Sequence, residues 1–176
     1  MTTHALHLSV EPLTAAAFAA FGDVIEARSS ATQMVINEGF ATRFHDLAQV
    51  DVADGGGRAI VNVFRAKPRA LPMQLSVMER HPLGSQAFVA MSELPFLVVV
   101  APAAPQLELQ RIRCFLADKG QGVNYAKGTW HHPLIALERE SDFLVLDRGA
   151  PTRDHNLDEI DVRAASIWIY APQRGN

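Results

Sequence analysis

The chain has 176 residues, of which 48% are hydrophobic and 20% are charged, and its formal net charge is −3. This size and composition are typical of a globular protein with a substantial core, so residues 1–176 are predicted to form a single domain. Charges of both signs are interspersed and no apolar run approaches the ~20 residues that cross a bilayer, so neither nucleic acid nor a membrane is an expected partner. The N-terminus lacks the basic and apolar segments of a secretory signal, which makes the cytoplasm the expected compartment.

Alternating apolar residues predict short strands in the first part of the chain. Residues 4–11 have an apolar residue at every second position, which favours a strand. Thr14 is placed to cap a helix that ends at Gly22. Further strands are predicted at residues 23–26, 34–37 and 40–46. On the last of these, Arg43 either binds an anion or pairs with a nearby aspartate.

A strand is also predicted at residues 60–65, where Arg65 lies on the same face as Val61 and Val63. A guanidinium in line with apolar side chains needs an anion or a carboxylate, because leaving it buried and unpaired is costly. Arg65 is therefore the preferred ligand for a substrate carboxylate, and an ion pair with Glu79 is the alternative.

The following stretch predicts a strand that ends in polar residues. Residues 73, 75 and 77 are apolar, and the spacing of two continues to Glu79 and His81. An apolar face that ends in a carboxylate and an imidazole is typical of the wall of a small β-barrel cavity. The alternative is a strand whose end lies in solvent.

A second polar stretch lies in the second half of the chain, where residues 122–134 place two adjacent histidines after a tight turn. Because neighbours on a strand point to opposite faces, one of His131 and His132 is predicted to enter a cavity while the other packs outside or meets a partner chain. Asp147 and Arg148 either form an ion pair at a strand end or orient a histidine. Around them we predict a continuous apolar strand at 96–101, an ambiguous segment at 106–118, strands at 134–137, 143–147 and 166–170, and a loop at 149–161.

The two polar stretches resemble the two cupin motifs. Residues 120–131 follow the second motif, with an alanine where proline is usual, and Glu79, His81 and Gln86 stand where the first motif has His-x-His and a glutamate. The resemblance implies a mainly β fold, a cupin-like β-barrel or double-stranded β-helix, with one or two short helices. It also implies that these three side chains and His131 are the ligands if a metal is bound.

Longer strings resemble one family, the ureidoglycolate lyases: INEG, RFHDLA, NVFRA, ERHPLGSQAF, GVNYAKGTWHHPL and FLVLDRG. The similarity runs from about Leu13 to Gly149. It implies a homodimeric enzyme, a carbon–nitrogen lyase that cleaves (S)-ureidoglycolate to glyoxylate and urea in allantoin breakdown. A divalent ion, nickel by family description, is implied as a candidate cofactor.

The chemistry of this reaction suits the predicted site. Carbon–nitrogen cleavage needs a base for the hydroxyl proton and an acid for the departing urea nitrogen. His81 or His131 is predicted as the base, and Glu79 as the acid if burial raises its pKa. Arg65 would hold the substrate carboxylate. The residues predicted to offer hydrogen bonds to the urea group are Gln86, Asn124 and Tyr125. If a metal is bound, it would polarise the hydroxyl instead.

Two other functions stay open at the level of sequence. One is a different enzyme on the same barrel, either a ureidoglycolate amidohydrolase that releases ammonia or a metal-dependent oxygenase. The other is a non-catalytic protein that binds a small ligand.

Overall fold

The structure, a computed structural model, describes residues 5–151 and 154–171. In chain order its first strands are β1 (Leu6–Leu8), β2 (Val10–Pro12), β3 (Gly22–Ile25), β4 (Thr32–Ile36), β5 (Ala41–His45), β6 (Arg58–Ala66), β7 (Met73–Gln74), β8 (Val77–Arg80) and β9 (Gln86–Ala90). The others are β10 (Phe96–Ala101), β11 (Arg113–Ala117), β12 (Gly122–Tyr125), β13 (Trp130–His131), β14 (Ile135–Ala136), β15 (Ser141–Gly149), β16 (Asp158–Asp161) and β17 (Ile167–Ile169).

Helical structure is scarce, and the predicted mainly β fold is confirmed. Within the described residues the one α-helix, α1, is Ala15–Phe18, and 3₁₀ turns occur at Asn37–Gly39, Asp54–Gly56, Leu109–Arg111 and Arg163–Ala165. None of the described helices has the length and hydrophobicity of a membrane span.

Two large sheets face each other, and a small sheet lies behind one of them. The seven-stranded sheet has the order β16-β8-β13-β10-β11-β2, with β14 beside β10, and the five-stranded sheet has the order β3-β12-β9-β15-β6. The small sheet has the order β1-β17-β7. The hairpin of β4 and β5 pairs with no other described strand.

Strand β10 shows how these layers are built. Every second side chain of β10 packs into a core between the two large sheets, and the others pack into a second core that includes side chains of the small sheet. A strand buried on both faces needs a continuous apolar sequence, because neither face can carry polar groups. The unbroken apolar run predicted as a strand at 96–101 therefore marks the middle layer of the fold.

The short helix begins where the sequence predicts. Thr14 has an extended backbone, and its hydroxyl accepts a hydrogen bond from the backbone N–H three residues on, at 3.2 Å. The helix ends at Phe18, earlier than predicted, because the chain turns there into β3. Gly22 opens that strand with a φ of +142°, and a Cβ at this position would lie 1.9 Å from the carbonyl oxygen of Asn124. Only glycine fits this close approach.

The strand predicted to run to His81 is broken in two. β7 belongs to the small sheet and β8 to the seven-stranded sheet, and Leu75 lies buried between them in the second core. Met78 packs into the same core, so its neighbour Glu79 points to the opposite face. The prediction that Leu75 and Glu79 share a face is therefore wrong, because the alternation does not continue through the break.

The segment predicted as a loop at 149–161 contains strand β16. It pairs antiparallel with β8, and an ion pair between Arg80 Nε and Asp158 Oδ2, at 2.7 Å, joins the two strands. The loop prediction was wrong here because the acidic sequence of β16 has no apolar alternation, and the strand forms through pairing with its neighbour. The ambiguous segment at 106–118 resolves into a 3₁₀ turn and β11.

Candidate active site

Three neighbouring strands of the seven-stranded sheet position the polar cluster. His131 on β13 lies opposite Val100 of β10 on one side and opposite Glu79 of β8 on the other. Directly paired residues share a face of the sheet. Because Val100 packs in the core between the two large sheets, both polar side chains also point into that space. His131 Nε2 lies 3.4 Å from Glu79 Oε1.

His81 follows β8 directly and joins this cluster. Its ring centroid is 5.3 Å from that of His131. One potential ligand atom from each of Glu79, His81 and His131 lies within 4.8 Å of the others. The structure thus brings together the three residues that the sequence predicts as catalytic.

Backbone carbonyls hold both imidazoles in one orientation. His81 Nδ1 lies 2.8 Å from the carbonyl oxygen of Asn156, and His131 Nδ1 lies 3.0 Å from that of Thr129. A carbonyl oxygen only accepts, so in the neutral rings Nδ1 carries the hydrogen and Nε2 keeps its lone pair. Both Nε2 atoms are buried and have no hydrogen-bond partner among the described residues. They are available to a substrate or an ion.

The cluster borders a cavity of about 330 Å³, a size suited to a small organic molecule. The described residues that line it, mostly apolar or aromatic, are Phe64, Arg65, Ala66, Glu79, Gln86, Phe88, Tyr125, His131, His132, Pro133 and Leu134. His81 is not among them and lines a neighbouring pocket with Asp147 and Asn156. Tyr125 stacks on His131, with ring centroids 4.3 Å apart and an angle of 19° between the planes. Burial raises the pKa of Tyr125, so its phenol stays protonated and can donate a hydrogen bond.

His132 lines the same cavity as His131, against the prediction that only one of the two would enter it. The alternation rule does not apply, because β13 ends at His131 and His132 lies beyond the strand. His132 is buried, its Nδ1 lies 2.7 Å from the carbonyl oxygen of Pro133, and its Nε2 has no described partner. Burial lowers the pKa of His132, which favours the neutral imidazole.

Glu79 is an ionised carboxylate in this setting. Burial alone would raise the pKa of Glu79, but the neighbouring imidazoles, His131 first among them, together hold it below its usual value. The sequence predicts Glu79 as the acid if burial raises its pKa. The pKa of Glu79 is lowered instead, so this prediction is wrong. Its position suits an anion that stabilises a neighbouring positive charge.

Asp147 fixes the orientation of the Gln86 amide. Gln86 Nε2 donates to Asp147 Oδ2 at 3.2 Å, and Asp147 Oδ1 accepts the backbone N–H of Arg148 at 2.7 Å. Gln86 Oε1 is left buried without a described partner. Asp147 therefore orients the Gln86 amide, and not a histidine as predicted. The predicted ion pair with Arg148 is also absent from the described residues, since the guanidinium of Arg148 pairs with Asp154 instead.

Arg65 lies at the rim of the cavity and is already paired. Its Nε and Nη2 donate to the two carboxylate oxygens of Asp142 at 2.8 and 2.9 Å, and Glu140 lies 3.8 Å away. The side chain is 67% exposed. The hydrogen bonds with Asp142 raise the pKa of Arg65 above its usual value. The partner of this arginine is thus Asp142 and not Glu79.

Asn124 points away from the cavity. Its neighbours on β12, Val123 and Tyr125, face the core between the large sheets, so Asn124 faces the outer side. There its amide donates to Asp23 Oδ2 at 3.0 Å and to the carbonyl oxygen of Gln49 at 2.9 Å. The substrate contact predicted for Asn124 has no support in this geometry.

The donor atoms fit a divalent cation. An ionised carboxylate and two imidazole nitrogens with free lone pairs come from Glu79, His81 and His131, and Gln86 adds a buried amide oxygen in the lining of the adjoining cavity. Nitrogen and oxygen ligands of this kind suit first-row divalent metals. A cation would also satisfy buried acceptors that no described donor reaches.

Fold and site together define a mainly β protein, in which two facing sheets hold imidazoles and a carboxylate beside a largely apolar cavity. The family model described as ureidoglycolate lyase matches residues 5–169. The chain belongs to the ureidoglycolate lyase family.

Curated relatives agree over most of their length. A ureidoglycolate lyase of Burkholderia mallei (strain NCTC 10229) is 57% identical over 162 residues, which is 92% of each chain. One of Burkholderia cepacia is 53% identical over 94% of this chain and 92% of its own, and one of Brucella melitensis biotype 2 is 51% identical over 86% and 88%. Among solved structures, RmlC from Streptococcus suis has a TM-score of 0.41 and 9% identity, over 55% of this chain and 46% of that one, which is too distant to carry an argument.

Proposed function

We propose that this protein cleaves (S)-ureidoglycolate into glyoxylate and urea, as a carbon–nitrogen lyase of allantoin breakdown. Relatives named ureidoglycolate lyase match nearly the whole chain. The observation that carries the proposal is the cluster of Glu79, His81 and His131, whose two imidazole Nε2 atoms are buried without a described partner, at a cavity of small-molecule size.

The reaction moves one proton within the site. The substrate hydroxyl loses its proton as the C=O bond of glyoxylate forms, the C–N bond breaks, and the urea nitrogen takes up a proton. His131 Nε2 accepts the hydroxyl proton because it has a free lone pair in the cavity. Glu79, at 3.4 Å, stabilises the imidazolium that forms, and the imidazolium then protonates the departing nitrogen.

The same cluster suits a divalent ion, nickel by family resemblance, held by Glu79, His81, Gln86 and His131. When bound, such an ion supplies polarisation of the substrate hydroxyl. If such an ion were bound, His131 Nε2 would be one of its ligands, and His132, whose Nε2 also has no described partner and which lines the cavity, would carry the proton.

Two further side chains orient the urea group. Tyr125 donates its phenol hydrogen to the urea carbonyl, and Gln86 accepts from the urea nitrogen through Oε1 when no ion occupies the cluster. Arg65 attracts the substrate carboxylate from the rim, although it shares its charge with Asp142.

We further assign residues 1–176 to a single domain that works as a homodimer in the cytoplasm. One family model over residues 5–169 supports the single domain. The exposed apolar hairpin of β4 and β5 supports a dimer. The lone cysteine, Cys114, is buried and free, which suits a reducing compartment.

The decisive experiment gives purified protein ureidoglycolate and quantifies urea, glyoxylate and ammonia separately, without urease. The lyase releases urea and glyoxylate in equal amounts, and a His131→Ala variant with an unchanged melting temperature serves as the matched control. Ammonia in place of urea would mean hydrolysis of the ureido group. If neither product appears, the substrate is a different molecule.

A further inference from the structure

The hairpin of β4 and β5 exposes apolar side chains without a partner in its own chain. Phe40 at its turn is 91% exposed and Val35 is 73% exposed, while Met34 and Ile36 on the other face of β4 are 40% and 38% exposed. No other described strand pairs with either edge of this hairpin. An isolated two-stranded hairpin is marginally stable in water. Its regular pairing from residue 32 to residue 45 therefore points to packing against another surface.

A matching apolar surface lies on β6, the edge strand of the five-stranded sheet. Phe64 turns inward, where its ring centroid is 5.9 Å from that of Phe88, so the alternate residues Val61 and Val63 turn outward. These two valines are 66% and 57% exposed. The outer edge of β6 has no described partner strand.

The hairpin and the β6 surface fit each other across a two-fold axis. β3 and β6 are opposite edges of one sheet, and the hairpin follows β3 in the chain. When two copies pack through the outer faces of this sheet about an axis parallel to the strands, the β3 edge of one copy lies over the β6 edge of the other. Each hairpin then covers the β6 surface of the second copy, and the arrangement closes as a dimer.

Exposed apolar side chains lie on both surfaces. On the hairpin they are Phe40 at the turn and Met34 and Ile36 on one face, and on β6 they are Val61 and Val63. In a two-fold dimer each copy contributes both surfaces, so each of these side chains counts twice toward an interface whose standard size is about 800 Å² per partner.

The cavity also lacks a free positive charge for an anionic substrate. Of its described lining residues only Arg65 is cationic, and Asp142 and Glu140 already surround that guanidinium, while Glu79 adds a negative charge inside. Arg69 lies close enough to His132 to act on its charge, but it does not line the cavity.

Arg43 on the hairpin is a cation that needs an anion, whereas the cavity is a site for an anion that needs a cation. It lies opposite Met34 in the β4–β5 pairing and so shares the apolar face of the hairpin with Met34 and Ile36. Among the described residues Arg43 forms no ion pair. When that face is covered, its guanidinium requires an anion.

We propose that the β4–β5 hairpin is an arm that packs across β6 of a second copy of this chain and brings Arg43 to the rim of that copy's cavity, where it binds the substrate carboxylate. The role of Arg43 rests on the proposed function. The docking of the arm does not. One active site is then built from two chains.

Complementation between two defective variants tests the shared site. Arg43→Ala keeps an intact cavity but lacks the arm's arginine, and His131→Ala keeps the arm but lacks the base. Each homodimer is expected to lose tenfold or more of its activity below the KM of the wild type. A mixed dimer, co-expressed with two affinity tags and purified through both, has one complete site and should recover roughly half of the wild-type activity. A mixed dimer as inactive as both parent homodimers would mean that Arg43 does not act on the cavity of the second copy, which overturns the proposal. Full activity of the Arg43→Ala homodimer would overturn it as well. If Arg43→Ala fails to form dimers, Arg43→Glu is used in the same pairing.

Sedimentation tests the arm without any substrate. Phe40→Asp should turn a dimer into a monomer with an intact fold by circular dichroism. Leu6→Asp, which alters an exposed apolar side chain on the small sheet, should leave the dimer unchanged. A monomeric wild type, or a dimer that survives Phe40→Asp, rules out the arm. Because this measurement does not depend on turnover, it separates failure of the arm from failure of the proposed activity.

Discussion

Asp147→Asn should impair catalysis through its effect on Gln86, and not through a contact between the new side chain and the substrate. Asp147 accepts two hydrogen bonds, one from the backbone N–H of Arg148 at 2.7 Å and one from Gln86 Nε2 at 3.2 Å. The backbone N–H retains the oxygen of the new amide, so the new NH₂ group faces Gln86. Two NH₂ groups cannot hydrogen-bond to each other, because both only donate. The Gln86 amide must therefore rotate, so that its Oε1 accepts from the new NH₂ group and its own NH₂ group takes the former place of Oε1.

The expected loss follows from that reversal. Gln86 Oε1 is buried, and the rotation replaces an acceptor with a donor in the lining of the cavity that Glu79 and His131 also line. A hydrogen bond of this kind contributes about 1.5–3 kcal/mol when a charged group is involved. That range corresponds to a roughly 10- to 150-fold fall in kcat/KM. Changes in groups that orient metal ligands fall in a similar range.

The assay compares kcat/KM for urea release and the melting temperature of four proteins. They are the wild type, Asp147→Asn, Gln86→Glu and the double variant. Gln86→Glu alone places two carboxylates together and should also be impaired. In the double variant the new amide donates to the new carboxylate, whose second oxygen faces the cluster again, so much of the activity should return. Activity of Asp147→Asn within about threefold of the wild type, or no recovery in the double variant, would refute the orienting role.

Three further predictions concern single side chains. His81→Ala should abolish turnover while the fold remains, because its Nε2 belongs to the cluster, and near-normal turnover would remove it from the mechanism. Arg65→Ala should raise KM more than it lowers kcat, because the guanidinium lies at the rim, and an unchanged KM would exclude it as a carboxylate ligand. Hydrogen bonding by Arg113 holds the pKa of Glu11 below its usual value. The pair therefore stabilises the fold above about pH 4.5, and this contribution is lost as the pH falls through the lowered pKa. Because both side chains are more than a third exposed, Glu11→Gln should cost at most about 1 kcal/mol at pH 7, and its deficit in melting temperature should shrink as the pH falls from 7 through the lowered pKa of Glu11. A deficit that does not change with pH would contradict the ion-pair explanation.

Local sequence patterns determined much of the fold. The alternation of apolar residues predicts strands wherever one face is buried, and the unbroken run at 96–101 predicts the strand that is buried on both faces. Thr14 marks the start of the only described helix through its own hydrogen bond. Resemblance of the motifs to a known family, and not periodicity, identified Glu79, His81 and His131 as members of one site.

Tertiary structure alone decided which way the remaining site residues point. Asn124 faces outward and His132 inward, because the orientation of a side chain depends on where a strand begins and ends and on the strands beside it. Arg65 pairs with Asp142, 77 residues away, and Gln86 with Asp147, 61 residues away. Sequence spacing carries no information about such contacts, because pairing between distant strands sets them. The sequence by itself therefore determined which residues are available for chemistry, and only the packing of the sheets decided which of them meet.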